Sequence, residues 1–172
     1  LQMVLAEISL CEQAMRDSEE QLARWHADDD IVHKLDEVSG IGLLTASALK
    51  TAVGKPERFA SGRHLSAWLG MTPNEYSSGE RRRLGCISCK GNTYVRTLLI
   101  HGARAALLAA KRCQTRTPER LTQLQRWALQ TAERIGHNKA AVALANKLVR
   151  ICWAVWCHER RFSGDWQSAR PA

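Results

Sequence analysis

The stretch Val38–Leu49, VSGIGLLTASAL, decides how this chain is read. Gly40 and Gly42 bracket one apolar residue, and apolar positions at helical spacing lie on both sides: Ile31, Val32, Leu35 and Val38 before, Leu43 to about Val53 after. Glycine accepts the backbone angles of a tight turn, so the pattern predicts two short helices joined by a hinge, a helix-hairpin-helix over residues 31–53. Asp28, Asp29 and Asp30 can cap the first helix, where its dipole favours an anion. Amides at the start of the second helix can meet a phosphate. Gly40 and Gly42 are therefore candidate nucleic-acid contacts of a kind blind to base sequence. A plain glycine turn between packed helices would use the same letters.

Upstream, Leu1, Ile8, Met15 and Leu22 fall seven apart, as do Val4, Cys11, Ser18 and Trp25. These are the a and d positions of a coiled coil, with Ser18 the polar intruder. Residues 1–27 are expected to form one long helix that pairs with another helix or a second copy, or else docks on its own domain. Downstream, Ser61 can cap a helix bearing Leu65, Trp68 and Leu69. Asn92 caps a long helix with Val95, Leu98, Leu99, Gly102, Ala106 and Ala109 facing inward. Pro118 opens another through Leu121, Leu124, Ala128 and Ile135 to Gly136. A last helix runs from about Asn138 to His158, with Val142, Ala145, Leu148, Ile151, Cys152 and Val155 as its stripe. The fold reads as all-α: a helical domain over 28–162, a frayed tail over 163–172, and one long irregular loop at about 70–91.

Charge is distributed unevenly. Residues 1–37 hold ten acids against Arg16, Arg24 and Lys34, a balance of −7, so with a total of +8 the rest of the chain carries +15. Between positions 80 and 120 there are ten Lys or Arg against Glu80 and Glu119. That is the electrostatic footprint of a phosphate-binding surface. Arg96, Arg104 and Lys111 stand eight and seven apart and are expected on one helix face. No run of apolar residues looks long enough to cross a bilayer, and no signal peptide is visible. Six cysteines in that setting point to reduced thiols in a cytosolic protein. Cys86 and Cys89 have zinc spacing, and Cys152, Cys157 and His158 could complete a site, although buried or idle thiols fit the pattern better. The chain begins at Leu1 and reads as a piece of something longer.

The central loop contains EYSSGERRRLGCISCKGN, residues 75–92. A structureless insertion of that length inside a helical domain suggests function. Ser77 and Ser78 precede Gly79, then come Arg81, Arg82 and Arg83, with Lys90 beyond. Hydroxyl attack on a phosphodiester needs an exposed nucleophile and cations beside the oxygens that gain charge. The loop has those parts, and His64 or His101 could be folded close as a base. Ser-Ser-Gly is equally ordinary turn chemistry, and three arginines equally a backbone grip.

Three runs carry a resemblance: VSGIGLLTASAL, then FASGRHLSAWLGMTPNEYSSGERRRLGCISCKGNTYVRTLLIHGARAAL, then GHNKAAVALANKLVRICWAVW. Together, over roughly 31–160, they resemble the C-terminal half of insertion-sequence transposases of the IS-one-ten group, the bridge-RNA-guided serine DNA recombinases. The resemblance implies a domain that binds DNA and a guide RNA. It implies that the serine directly before the glycine, Ser78, with Ser77 as fallback, attacks a DNA strand to leave a covalent phosphoserine before strand exchange and religation. Arg81, Arg82 and Arg83 would then hold the scissile phosphate. It further implies an upstream RuvC-like domain, absent from this chain, whose four acids hold Mg²⁺. It also implies a homo-oligomer, dimer or tetramer, joined through the coiled coil, and a prokaryotic, nucleoid-associated setting. Relatives usually read G-x-I-S-K-x-G after the arginines, whereas Cys89 stands here where a lysine is usual. The alternative is a non-catalytic helix-hairpin-helix DNA-binding module with a dimerisation helix.

Overall fold

In the computed structural model, which describes residues 1–81 and 83–165, the aspartates before the glycine hinge do their expected work. Asp29 accepts a hydrogen bond from Val32 N–H and starts α2 (Asp30–Asp36). Its carboxylate also meets Lys50 of α3 (Leu43–Val53) and the ring of His26 at 3.2 Å, and His26 reaches Ser47 at 2.8 Å. Burial pushes the Asp29 carboxyl upward, but the hydrogen bonds from Lys50, Val32 and His26 outweigh it and bring the pKa down to about 2. This cluster fixes the angle between the N-terminal helix and the α2–α3 unit.

That N-terminal helix, α1 (Gln2–Trp25), has no buried residue. Its main contact within the chain is with α3. The apolar positions Leu1, Val4, Ile8 and Met15 stay in solvent, with Ile8 49% and Met15 63% exposed. Docking of the heptad seam onto its own domain is therefore not what these residues do.

After a 3-10 turn at Pro56–Arg58, Ser61 accepts from His64 N–H and opens α4 (Gly62–Trp68). Asn92 accepts from Val95 N–H and opens α5 (Thr93–Arg116). Two readings of α5 need correction. Its buried stripe is Val95, Arg96, Leu99, Ala103, Leu107 and Ala110, whereas Ala109 is exposed and Leu98, Gly102 and Ala106 are half-buried. Arg96 and Arg104 do not share a face, because eight residues overshoot two turns by roughly 80° at 3.6 residues per turn. Pro118 forms a 3-10 turn (Pro118–Arg120), and α6 (Gln123–Ile135) begins later, at a reciprocal capping box between Thr122 and Gln125. Ile135 at its end is 36% exposed. The tail is not frayed at its start: Gly164 O accepts from Leu124 N–H, and the Asp165 carboxylate accepts from Gln123 N–H at 3.0 Å. The remaining tail residues, 166–172, lie outside the described residues.

The axis of the core is α7 (His137–His158), packed against α2, α4, α5 and α6. Contrary to the sequence reading, α7 is long and apolar enough to cross a bilayer by length and composition. Its Ala140, Ala141, Leu144, Ala145, Leu148, Val149 and Cys152 are instead spent on the core. Two glycines let helices approach backbone to backbone. A side chain at Gly62 would meet Arg150 Cα of α7 at 2.9 Å, and one at Gly102 of α5 would fall 1.9 Å from Gly40 O in the hinge.

The central loop is the largest correction. It is a two-stranded antiparallel hairpin, β1 (Pro73–Glu75) against β2 (Leu84–Ile87), pairing Pro73 with Ile87 and Glu75 with Leu84 around an irregularity. Strands of three and four residues, exposed except at Asn74 and Ile87, are too short for a period-two alternation to be read.

Candidate nucleophile hairpin

The base of the hairpin is clamped to the domain. Gly70 (φ 72°) and Gly91 (φ 98°) hold left-handed backbones and cross closely: a Cβ on Gly70 would lie 1.9 Å from Lys90 O, and one on Gly91 2.0 Å from Trp68 O. Cys89 N–H donates to Gly70 O, and Ser88 N–H donates to Thr72 O at 2.8 Å. Met71 is buried between them, and its carbonyl accepts from the Asn146 amide of α7 at 3.0 Å. Arg96 completes the clamp. It is 8% exposed, and its guanidinium donates to Leu69 O and to Thr93 Oγ1, both at 3.2 Å. Its charge is committed to the protein, which removes it from the set of side chains able to meet a phosphate.

Beyond the clamp the hairpin runs into solvent. Tyr76 N–H donates to Arg83 O at 2.8 Å. At the tip Ser78 and Arg81 face each other through Ser78 N–H to Arg81 O and Arg81 N–H to Ser78 O, 3.3 and 3.1 Å. Gly79 has φ 56° and Glu80 does not share that sign, the pattern of a two-residue turn with glycine at its first central position. Ser77, Ser78, Gly79, Arg81 and Arg83 are all exposed. Arg82 lies outside the described residues.

The two serines differ in commitment. Ser77 Oγ donates to the Glu75 carboxylate at 2.7 Å and accepts from Arg83 N–H at 3.0 Å, so its hydroxyl is turned into the hairpin. Among the described residues nothing hydrogen-bonds to the Ser78 hydroxyl. His64 and His101 are exposed on α4 and α5 and bond to neither serine through their rings.

Of the other candidates, Lys90 and Arg104 are exposed, in the segment between β2 and α5 and on α5. Gly42 is exposed at the start of α3 with open space around it, whereas Gly40 (φ 93°) is wedged against Gly102 and Ala106. The two hinge glycines therefore differ: Gly42 stands in open space, whereas Gly40 serves helix packing. Among the described residues no group of three or more His, Cys, Asp or Glu is placed to hold a metal ion. Cys86 and Cys89 are exposed on the hairpin, while Cys152 is buried in α7 with its thiol pushed up to about 12 by desolvation. What the sequence reading missed are Asn146, Glu75 and Tyr76. Each acts through a partner whose proximity only the hairpin creates.

A family model described as "Transposase IS116/IS110/IS902 family" matches residues 32–119, which include both hinge glycines, the whole hairpin and α5. The chain belongs to this transposase family. A probable family 20 transposase of Pseudomonas aeruginosa is 42% identical over 141 residues, covering 82% of the chain and 40% of that relative. The transposase for insertion sequence element IS1111A of Coxiella burnetii is 36% identical over 151 residues, covering 88% and 40%. That for element IS1328 of Yersinia enterocolitica is 35% identical over 154 residues, covering 90% and 44%. The chain thus spans about two-fifths of the length of the relatives it matches.

Proposed function

We propose that this chain is the serine-bearing, DNA-handling part of an insertion-sequence recombinase, and that Ser78 is its nucleophile. The observation that carries the reading is the contrast within the hairpin: a base fixed by Gly70, Gly91, Arg96 and Asn146, and a tip offering an uncommitted Ser78 hydroxyl opposite Arg81. Attack by Ser78 Oγ on a backbone phosphorus forms a phosphoserine and expels the deoxyribose oxygen of the cut strand. The Ser78 proton passes to a base outside this chain. Arg81 and Arg83 stabilise the non-bridging oxygens as charge builds on them. The bond energy is kept in the phosphoserine, so religation needs no external source. On this reading Mg²⁺ and the acids that hold it belong to a RuvC-like part of the longer protein, a guide RNA is a second ligand, and the setting is the prokaryotic nucleoid.

Duplex binding tests the reading. Affinity of the chain for DNA is expected to fall steeply with salt, with a log–log slope of about −0.9 per neutralised phosphate. Arg81→Ala or Arg83→Ala should each shallow that slope by about 1. Binding that ignores salt would reject a phosphate-facing role. The non-catalytic alternative finds its support in Gly42, whose open position at the start of α3 suits a backbone phosphate whether or not Ser78 reacts.

Self-association is the remaining part of the proposal. An exposed heptad seam on α1 is best covered by a second copy of the same helix. Ile8→Glu should shift the sedimenting species toward monomer. An unchanged profile would leave α1 without this role.

A further inference from the structure

The residue before the two serines is an aromatic with one ring edge held and the rest of the ring open. Gly85 of β2 lies against the edge of the Tyr76 ring: a Cβ built there would fall 2.8 Å from Tyr76 Cε2 and 3.5 Å from Cδ2. The lack of a side chain at 85 is what lets that ring edge approach the strand. Tyr76 is nevertheless 68% exposed, so most of the ring is in water. Its backbone is pinned by the hydrogen bond to Arg83 O, one residue from Ser77 and two from Ser78. A ring immobilised in this way loses little further freedom when a flat partner lands on it.

We infer that Tyr76 is a stacking shelf for an unpaired DNA base beside the phosphate presented to Ser78. The inference rests on the reading of the hairpin as a DNA-handling element. Every nucleobase offers a π-face, and stacking on an aromatic side chain is worth roughly 5- to 150-fold in affinity per base. Arg81 and Arg83, exposed on the same hairpin, would take the adjoining phosphates while the ring takes the base. A strand melted at the cleavage point would be held at two kinds of contact, which fixes the phosphate's position along the strand better than charge alone. Tyr76 is thus a positioning residue, and its phenolic oxygen has no part in the role.

The test uses the chain itself with four probes: a twelve-residue oligo-dT, the same length of oligo-rU, an abasic strand with as many phosphates, and a duplex. Tyr76→Ala and Tyr76→Leu should each weaken oligo-dT binding 5-fold or more, and Tyr76→Phe should leave it unchanged. Leucine keeps Gly85 covered, so an equal loss with leucine separates the ring from the integrity of the hairpin. Abasic-strand and duplex binding should be indifferent to all three. Equal affinity of wild type and Tyr76→Leu for oligo-dT overturns the inference, as does a loss with Tyr76→Phe, which would assign the effect to the hydroxyl. Ring dependence confined to oligo-rU would give the shelf to RNA and reject the DNA base. Salt-sensitive duplex binding without ring dependence would sink the shelf alone, whereas no binding to any probe would sink the DNA-handling reading with it.

Discussion

Ser78→Ala in the longer transposase is expected to lower strand transfer by at least about three orders of magnitude, since removal of a nucleophile leaves only binding and charge stabilisation. Fold and DNA affinity should stay near wild type. The hydroxyl is exposed at a hairpin tip with no partner among the described residues, and such positions affect stability by no more than about 0.5 kcal/mol. Ser77→Ala should behave differently. It removes a donor to Glu75 and an acceptor for Arg83 N–H, so it loosens the hairpin and lowers the rate about tenfold without ending the chemistry. Arg81→Ala should reduce affinity and rate together, because its charge serves bound and transition states alike. Strand-transfer assays with purified variants, paired with thermal melts, check all three. Full activity in Ser78→Ala would leave the hairpin as a grip.

The largest stability effect should come from Gly102→Ala. A methyl there would stand 1.9 Å from Gly40 O and 3.1 Å from Gly40 C, backbone atoms of a hinge that cannot rotate aside. Either α5 moves away from the α2–α3 unit or the hinge deforms, and both open the core around Val38, Leu99 and Ala103. Overpacking of this kind costs about 3 kcal/mol, which for a domain of this size lowers Tm by roughly 10 °C. Gly42→Ser, two residues from the other partner in that contact, is the control. It sits in open space at a helix N-cap where serine is favoured, so Tm should hold or rise slightly. Equal melting of Gly102→Ala and wild type would mean that the hinge and α5 are not in contact in solution.

These two glycines also mark where the sequence could be read and where it could not. Caps act between residues three apart, so Asp29, Ser61 and Asn92 announced their helices, and the bracket Gly40–Ile41–Gly42 announced the hinge. Long-range packing writes no such local mark. Nothing near Gly40 states that Gly102 will sit against it, and nothing near Gly70 states that Lys90 will cross it. Arg96 matches its neighbours in residue type and approximate spacing, which points to phosphate, yet the overshoot in helical phase turns it inward to Leu69 and Thr93. The hairpin is hidden from the sequence because its strands are short and mostly exposed, and its stability lies in the clamp at the base rather than in side-chain alternation. The tip was more legible: serines, a glycine and arginines in contiguous order do lie together. The choice between Ser77 and Ser78 was not legible from residue type. It depends on Glu75 and Arg83 N–H, which only strand register brings to Ser77.

The most direct measurement is chemical. A nicked or gapped DNA substrate that stalls after attack, incubated with the active longer transposase and the guide RNA proposed for it, should yield a protein–DNA adduct that survives denaturing electrophoresis. Digestion and mass mapping should place the nucleotide on the peptide containing Ser78, and Ser78→Ala should form no adduct while Ser77→Ala still does. An adduct mapped to Ser77, or to any residue outside the hairpin, or one that persists in Ser78→Ala, would contradict the account.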